Sequence, residues 1–127
     1  MASFNRNVVS AFLCALLLPS LAFAHAHLKA SDPKENAILK KAPSRIELKF
    51  SEPLETTMST IEVKDEAGAS LPSGPVTIVA DDPRTVEIAL KDVQDRHGAF
   101  QVVWKAVSKD THKMKGSFKF SVDPKAK

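Results

Sequence analysis

Apolar and polar side chains alternate with a period of two through most of this chain, the period at which successive side chains face opposite sides of a strand. Arg45 to Phe50 is the cleanest case, with Ile46, Leu48 and Phe50 predicted inward and Arg45, Glu47 and Lys49 outward. Thr60 to Lys64 repeats the pattern through Ile61 and Val63, and Val86, Ile88 and Leu90 alternate against Thr85, Glu87 and Ala89. Ala99 to Val107 sets Phe100, Val102, Trp104 and Ala106 on one side and Val103 and Val107 on the other. Being apolar on both faces, it predicts a central strand. Ser117 to Val122 ends the series with Phe118, Phe120 and Val122 inward, and Val76 to Val79 is a short β-branched run. Near the start, Ala26, Leu28 and Ala30 share one face, and His25, His27 and Lys29 share the other.

Turn chemistry separates these runs. Asp32-Pro33-Lys34-Glu35-Asn36, Glu66 to Ala69 and Asp81-Asp82-Pro83 supply residues that set or tolerate turn geometry, and Pro53 denies a ladder donor just past Phe50. Ile38 and Leu39 are expected to tuck into the core beneath a connection that ends at Pro43. About seven short strands, with no window of helical periodicity, predict an all-β, seven-stranded sandwich of the immunoglobulin-like kind.

Composition divides the chain. Arg6, the apolar run Val8 to Leu18 and the small-residue site Ala22-Phe23-Ala24 predict a cleaved export signal over residues 1–24 and one domain over 25–127. The apolar run falls short of the roughly 20 residues a membrane helix needs. Ala24-His25-Ala26 is a second cleavage site of the same type, so either cut leaves a histidine first, His25 or His27. Beyond the signal, bases and acids are interspersed, with no basic stripe of the sort nucleic acid requires. Cys14 lies inside the signal, and Leu13 stands before it where a lipoprotein signal needs a small residue. Residues 25–127 thus hold no cysteine, and a metal site in them must use nitrogen and oxygen donors.

An amino-terminal histidine offers a pair that no internal histidine can: its α-amine and its ring nitrogen close on one metal ion as a chelate. Copper(II) prefers such nitrogen and oxygen coordination. Deprotonating the amine at neutral pH costs about 1 kcal/mol, less than strong ligation returns. Asp110 and His112, in Ser108-Lys109-Asp110-Thr111-His112, are the candidate partners, because they leave the predicted central strand at one end. His27 shares a face with His25 and is a candidate to orient it through a hydrogen bond, and Glu52, just past a strand end, is a candidate outer acceptor. His97, beside Gly98, reads as solvated, and Trp104 reads as core. Met58 and Met114 are isolated, which gives no support to a methionine-rich copper(I) site.

The sequence resembles the CopC family of periplasmic copper-binding proteins. The likeness rests on His25-Ala26-His27-Leu28-Lys29, Asp32-Pro33, Leu48-Lys49-Phe50-Ser51-Glu52, and Val102-Val103-Trp104-Lys105-Ala106-Val107-Ser108 followed by Asp110-Thr111-His112 and Gly116. It implies a Greek-key, cupredoxin-like sandwich and a copper(II) site at His25, Asp110 and His112, with Glu52 near the metal. It further implies a periplasmic carrier or buffer in copper homeostasis or resistance, handing the ion to a CopD-type inner-membrane partner; the chain itself is expected to act as a monomer. The methionine-rich loop of some relatives is missing here. The competing class is a copper-dependent oxidase or monooxygenase with a histidine brace. Residues 25–127 have no tyrosine and few aromatic residues to form a substrate platform, so the expectation is a binding protein and not an enzyme.

Overall fold

Ile46, Leu48 and Phe50 are almost wholly buried while Arg45 and Lys49 stay exposed, so the alternation read from this stretch is the alternation of the strand. The computed structural model describes residues 27–127; the predicted export signal and His25 lie outside the described residues. The strands are β1 (Leu28–Asp32), β2 (Ile38–Leu39), β3 (Arg45–Phe50), β4 (Thr60–Lys64), β5 (Thr77–Val79), β6 (Asp82–Ala89), β7 (Gly98–Val107) and β8 (Lys113–Val122). One 3-10 turn, Thr56–Met58, is the only helical element among the described residues. Two four-stranded sheets, ordered β1-β3-β6-β5 and β2-β8-β7-β4, make the sandwich.

The core lies between the sheets. Leu48, Val86, Ile88, Val63, Val102, Phe118 and Phe120 meet there, and Phe50 sets its ring edge-on to Trp104 with centroids 5.1 Å apart. Burying a side chain of this size contributes roughly 1.5–3 kcal/mol. A domain without a disulfide depends on that sum. The Trp104 indole also packs against Gly116, where a Cβ would come within 2.4 Å of its Cζ2, so the opposite strand must carry a glycine there.

Four expectations change. The strands number eight, because Ile38 and Leu39 pair in parallel with Ser121 and Val122 at the end of β8. Two residues are too few to show a period, and the pairing leaves Ile38 64% exposed instead of tucked inward. In β1 a register shift between Leu28 and Ala30 breaks the alternation, so Ala30 is exposed and Ser31 half-buried. The turn assigned to Asp81-Asp82-Pro83 sits one residue earlier: Ala80 and Asp81 hold φ of 48° and 58°, and β6 already begins at Asp82. Two successive positive φ values make the mirror-image turn that matches strand twist in a two-residue hairpin. Finally, β8 begins at Lys113 rather than Ser117, pairing with β7 over ten residues from Gly98↔Val122 to Val107↔Lys113. This central hairpin carries Ser108 to His112 at its tip.

Candidate metal centre

Three separate stretches reach the same pole of the sandwich. β3 ends there at Phe50, the β7–β8 hairpin turns there, and β1, antiparallel to β3, starts there with Leu28 opposite Phe50. The chain just before β1 is fastened to the chain just after β3: the Ser51 N–H donates to the His27 carbonyl at 3.0 Å, and the His27 N–H donates to Ser51 Oγ at 2.9 Å. The segment after Ser51 then lies along the hairpin tip. Leu54 bridges Ser108, the Glu55 N–H donates to the Val107 carbonyl at 2.8 Å, and the Lys109 N–H donates to the Pro53 carbonyl at 3.0 Å. Pro53, which ends the β3 ladder, thus still offers its carbonyl as an acceptor.

This lacing gathers Glu52, Asp110 and His112, whose ligand atoms all lie within 4.8 Å of one another. Asp110 and His112 were expected to converge. Glu52 was expected at the margin, and the geometry sets its carboxylate within the same group. His27, exposed, has its backbone held beside Glu52 through Ser51, while His25 lies outside the described residues. His97 is exposed at the start of β7, the opposite pole.

Ser108 organises the tip, a role with no signal in the sequence beyond its place before the D-x-H spacing. It is wholly buried. Its hydroxyl donates to Asp110 Oδ1 and accepts the His112 N–H at 3.1 Å. Its N–H donates to the His112 carbonyl at 3.0 Å, and its carbonyl accepts the Thr111 N–H at 2.9 Å. The second carboxylate oxygen of Asp110 meets His112 Nδ1 at 3.1 Å, which orients the ring. The Ser108 hydrogen bond is the largest cause holding the Asp110 carboxyl below its ordinary value; partial burial opposes it, and the charge of His112 adds to it. Asp110 is therefore an anion at neutral pH. Thr111 takes φ of 72° to close the loop, a left-handed conformation costly for a β-branched residue.

The side chains of Asp110 and His112 are 54% and 52% exposed, so the group opens to solvent. Two carboxylates and an imidazole with no sulfur form a donor set for a divalent cation of borderline hardness. Such a group can bind and release an ion.

That fold and that pole define a small β-sandwich protein with a surface cluster of nitrogen and oxygen donors. The family model described as the CopC domain matches residues 28–123, and the chain belongs to the CopC family. It is 36% identical over 124 residues to "Copper resistance protein C" of Pseudomonas syringae pv. tomato, covering 93% of this chain and 97% of that protein. It is 32% identical over 118 residues to "Copper transport protein CutJ" of Bacillus subtilis, covering 93% of this chain but spanning only 22% of that longer protein. The crystal structure of PcoC, a methionine-rich copper resistance protein from Escherichia coli, superposes with a TM-score of 0.67 at 30% identity, covering 79% of this chain and all of that one.

Proposed function

We propose that this protein is an exported carrier or buffer for copper(II), gripping one ion between the amine and ring of an amino-terminal His25 and the side chains of Asp110 and His112. The observation that carries the proposal is the cluster of Glu52, Asp110 and His112 at the pole where the backbone of His27 is fastened to Ser51. A mature chain that begins at His25 has only one residue between that terminus and the fastened His27. The donor set agrees: nitrogen and oxygen suit cupric ion, and the names of the copper resistance and transport proteins to which the chain is similar support copper as the metal. Glu52 supplies a carboxylate that either ligates or accepts a proton from a bound water. The open site, with the side chains of Asp110 and His112 about half exposed, suits the uptake and release of an ion that a carrier requires.

Within this reading, cleavage of residues 1–24 creates the chelate, the compartment is the periplasm, and the receiving partner is a CopD-type membrane protein. The decisive experiment is a copper(II) competition titration of the chain beginning at His25, beside His112→Ala, Glu52→Ala and a form extended by one amino-terminal residue. His112→Ala and the extended form should each weaken binding by orders of magnitude with the fold intact, since each removes a nitrogen ligand. Tight, spectrally unchanged binding by the extended form would remove the amine from the site; the same outcome for His112→Ala would remove the D-x-H pair.

A further inference from the structure

The β2-β8-β7-β4 sheet turns its other face to solvent, and strand register concentrates charge on it. Lysines that alternate along separate stretches of sequence land side by side: Lys113, Lys115 and Lys119 from β8, Lys105 from β7 and Lys64 from β4. Lys105 stands directly opposite Lys115, and Gln101 lies between Lys64 and Lys119. Neighbouring strands lie about 4.8 Å apart, so these are close like charges, and a like pair directly opposite destabilises a sheet. Glu62 is the one acid of β4, β7 and β8 on this face, and its carboxylate accepts the Ser70 hydroxyl at the sheet edge. None of the five lysines is ion-paired among the described residues. The other sheet behaves differently: on its outer face Arg45 reaches Glu87 at 3.3 Å and Glu47 at 3.8 Å.

The asymmetry exceeds the charge of the molecule. Residues 27–127 carry 17 bases and 15 acids, a net of +2, whereas five lysines and one glutamate leave +4 on the strands of this face, with Glu66 at its edge, where its carboxylate accepts the Ala99 N–H. The remainder is net negative. Ile38, paired with Ser121 at the far end of the same face, is 64% exposed.

We infer that the outer face of the β2-β8-β7-β4 sheet is an electrostatic docking surface for an anionic phospholipid bilayer. A folded acidic partner would ask for fixed geometry, with arginine forks or aromatic anchors at its centre. This face has neither. Lysines are mobile point charges on long stems, suited to diffuse, laterally fluid phosphate headgroups, and a lone exposed isoleucine suits shallow insertion beside them. Lys113 follows His112 directly, so a docked molecule holds its donor cluster at the rim of the contact with the bilayer. The docking surface shares no residue with that cluster and does not depend on which metal it binds.

The test uses metal-free chain 25–127 and sedimentation with vesicles at low ionic strength, either phosphatidylcholine alone or phosphatidylcholine mixed equally with phosphatidylglycerol. Binding to the anionic vesicles only is expected, and it should fall as salt shortens the screening length. At about fivefold in partitioning per lysine, the triple variant Lys105→Gln, Lys115→Gln, Lys119→Gln should lose about a hundredfold. A triple of equal charge change elsewhere, Lys29→Gln, Lys49→Gln, Lys91→Gln, should lose far less, with unchanged melting temperatures showing that both variants fold. Equal losses in the two triples, equal binding to neutral vesicles, or retention on polyglutamate without vesicle binding would each overturn the assignment, the last in favour of an acidic protein. Copper(II) titration of the first triple is a separate reading and should match the parent chain.

Discussion

The buried hydroxyl of Ser108 donates to Asp110 Oδ1 and at the same time accepts the backbone N–H of His112 at 3.1 Å, so one side chain sets the positions of both members of the D-x-H pair. Groups that orient metal ligands from behind are commonly worth 10–100-fold in affinity. Ser108→Ala should therefore weaken copper(II) binding by about that factor and alter the electron paramagnetic resonance spectrum of the bound ion, while the sandwich stays folded. If affinity and spectrum both match the parent protein, Asp110 and His112 are held by the loop backbone alone.

Thr111 holds a φ of 72° in that same loop. Glycine adopts such a conformation without steric penalty, which for other residues is about 1–2 kcal/mol. Thr111→Gly is expected to raise the melting temperature, yet to weaken metal binding severalfold because the loop is no longer confined to one shape. A variant that melts lower than the parent would show that the threonine is not strained there.

At Gly116 the constraint is space. A Cβ there would sit 2.4 Å from Trp104 Cζ2 and 2.7 Å from its Cε2. Trp104 is pinned in turn by the edge of Phe50, so it cannot swing away cheaply. Gly116→Ala should cost about 1–3 kcal/mol, the range for overpacking a core, as measured by denaturant unfolding, and should shift the tryptophan emission. A stability within a few tenths of a kcal/mol of the parent would mean that the indole yields.

Acid sensitivity should have a component at Asp82, where β6 begins. The Arg84 N–H is the largest cause holding its carboxyl below the ordinary value, followed by the Thr85 hydroxyl; burial opposes them, and the charges of Lys49 and Arg84 assist. A carboxyl depressed in the folded state stabilises the fold above the unfolded value, about 3.9, and that contribution is lost as pH falls through the lower folded value. Asp82→Ala should thus melt lower than the parent at neutral pH, and the gap should narrow below about pH 4. A gap that stays constant to pH 2 would assign the effect to the turn rather than to ionisation.

Wherever one face is buried and the other wet, as in β3 and β4, period-two alternation reveals the strand, and it was legible residue by residue. Where that condition fails, so does the reading. β2 has two residues and a single parallel partner, β1 carries a bulge that shifts its phase, and the β5–β6 turn uses Ala80 and Asp81 in place of the usual asparagine and glycine. In the candidate site, Asp110 and His112 were visible because their spacing is local. Glu52 was legible only as an outer acceptor past a strand end, since it joins the group through the lacing of residues 53–55 onto the hairpin tip, and the role of Ser108 was not legible, because it depends on a hydroxyl that only the fold buries.

Taken alone, the sequence determined an all-β chain, the position of its core residues and a nitrogen-oxygen donor set without sulfur, because periodicity and side-chain chemistry are properties of short stretches. Only the tertiary structure decided which donors share a pole and that five scattered lysines share a face. Those facts depend on strand order and register, which link residues dozens of positions apart and leave no local trace.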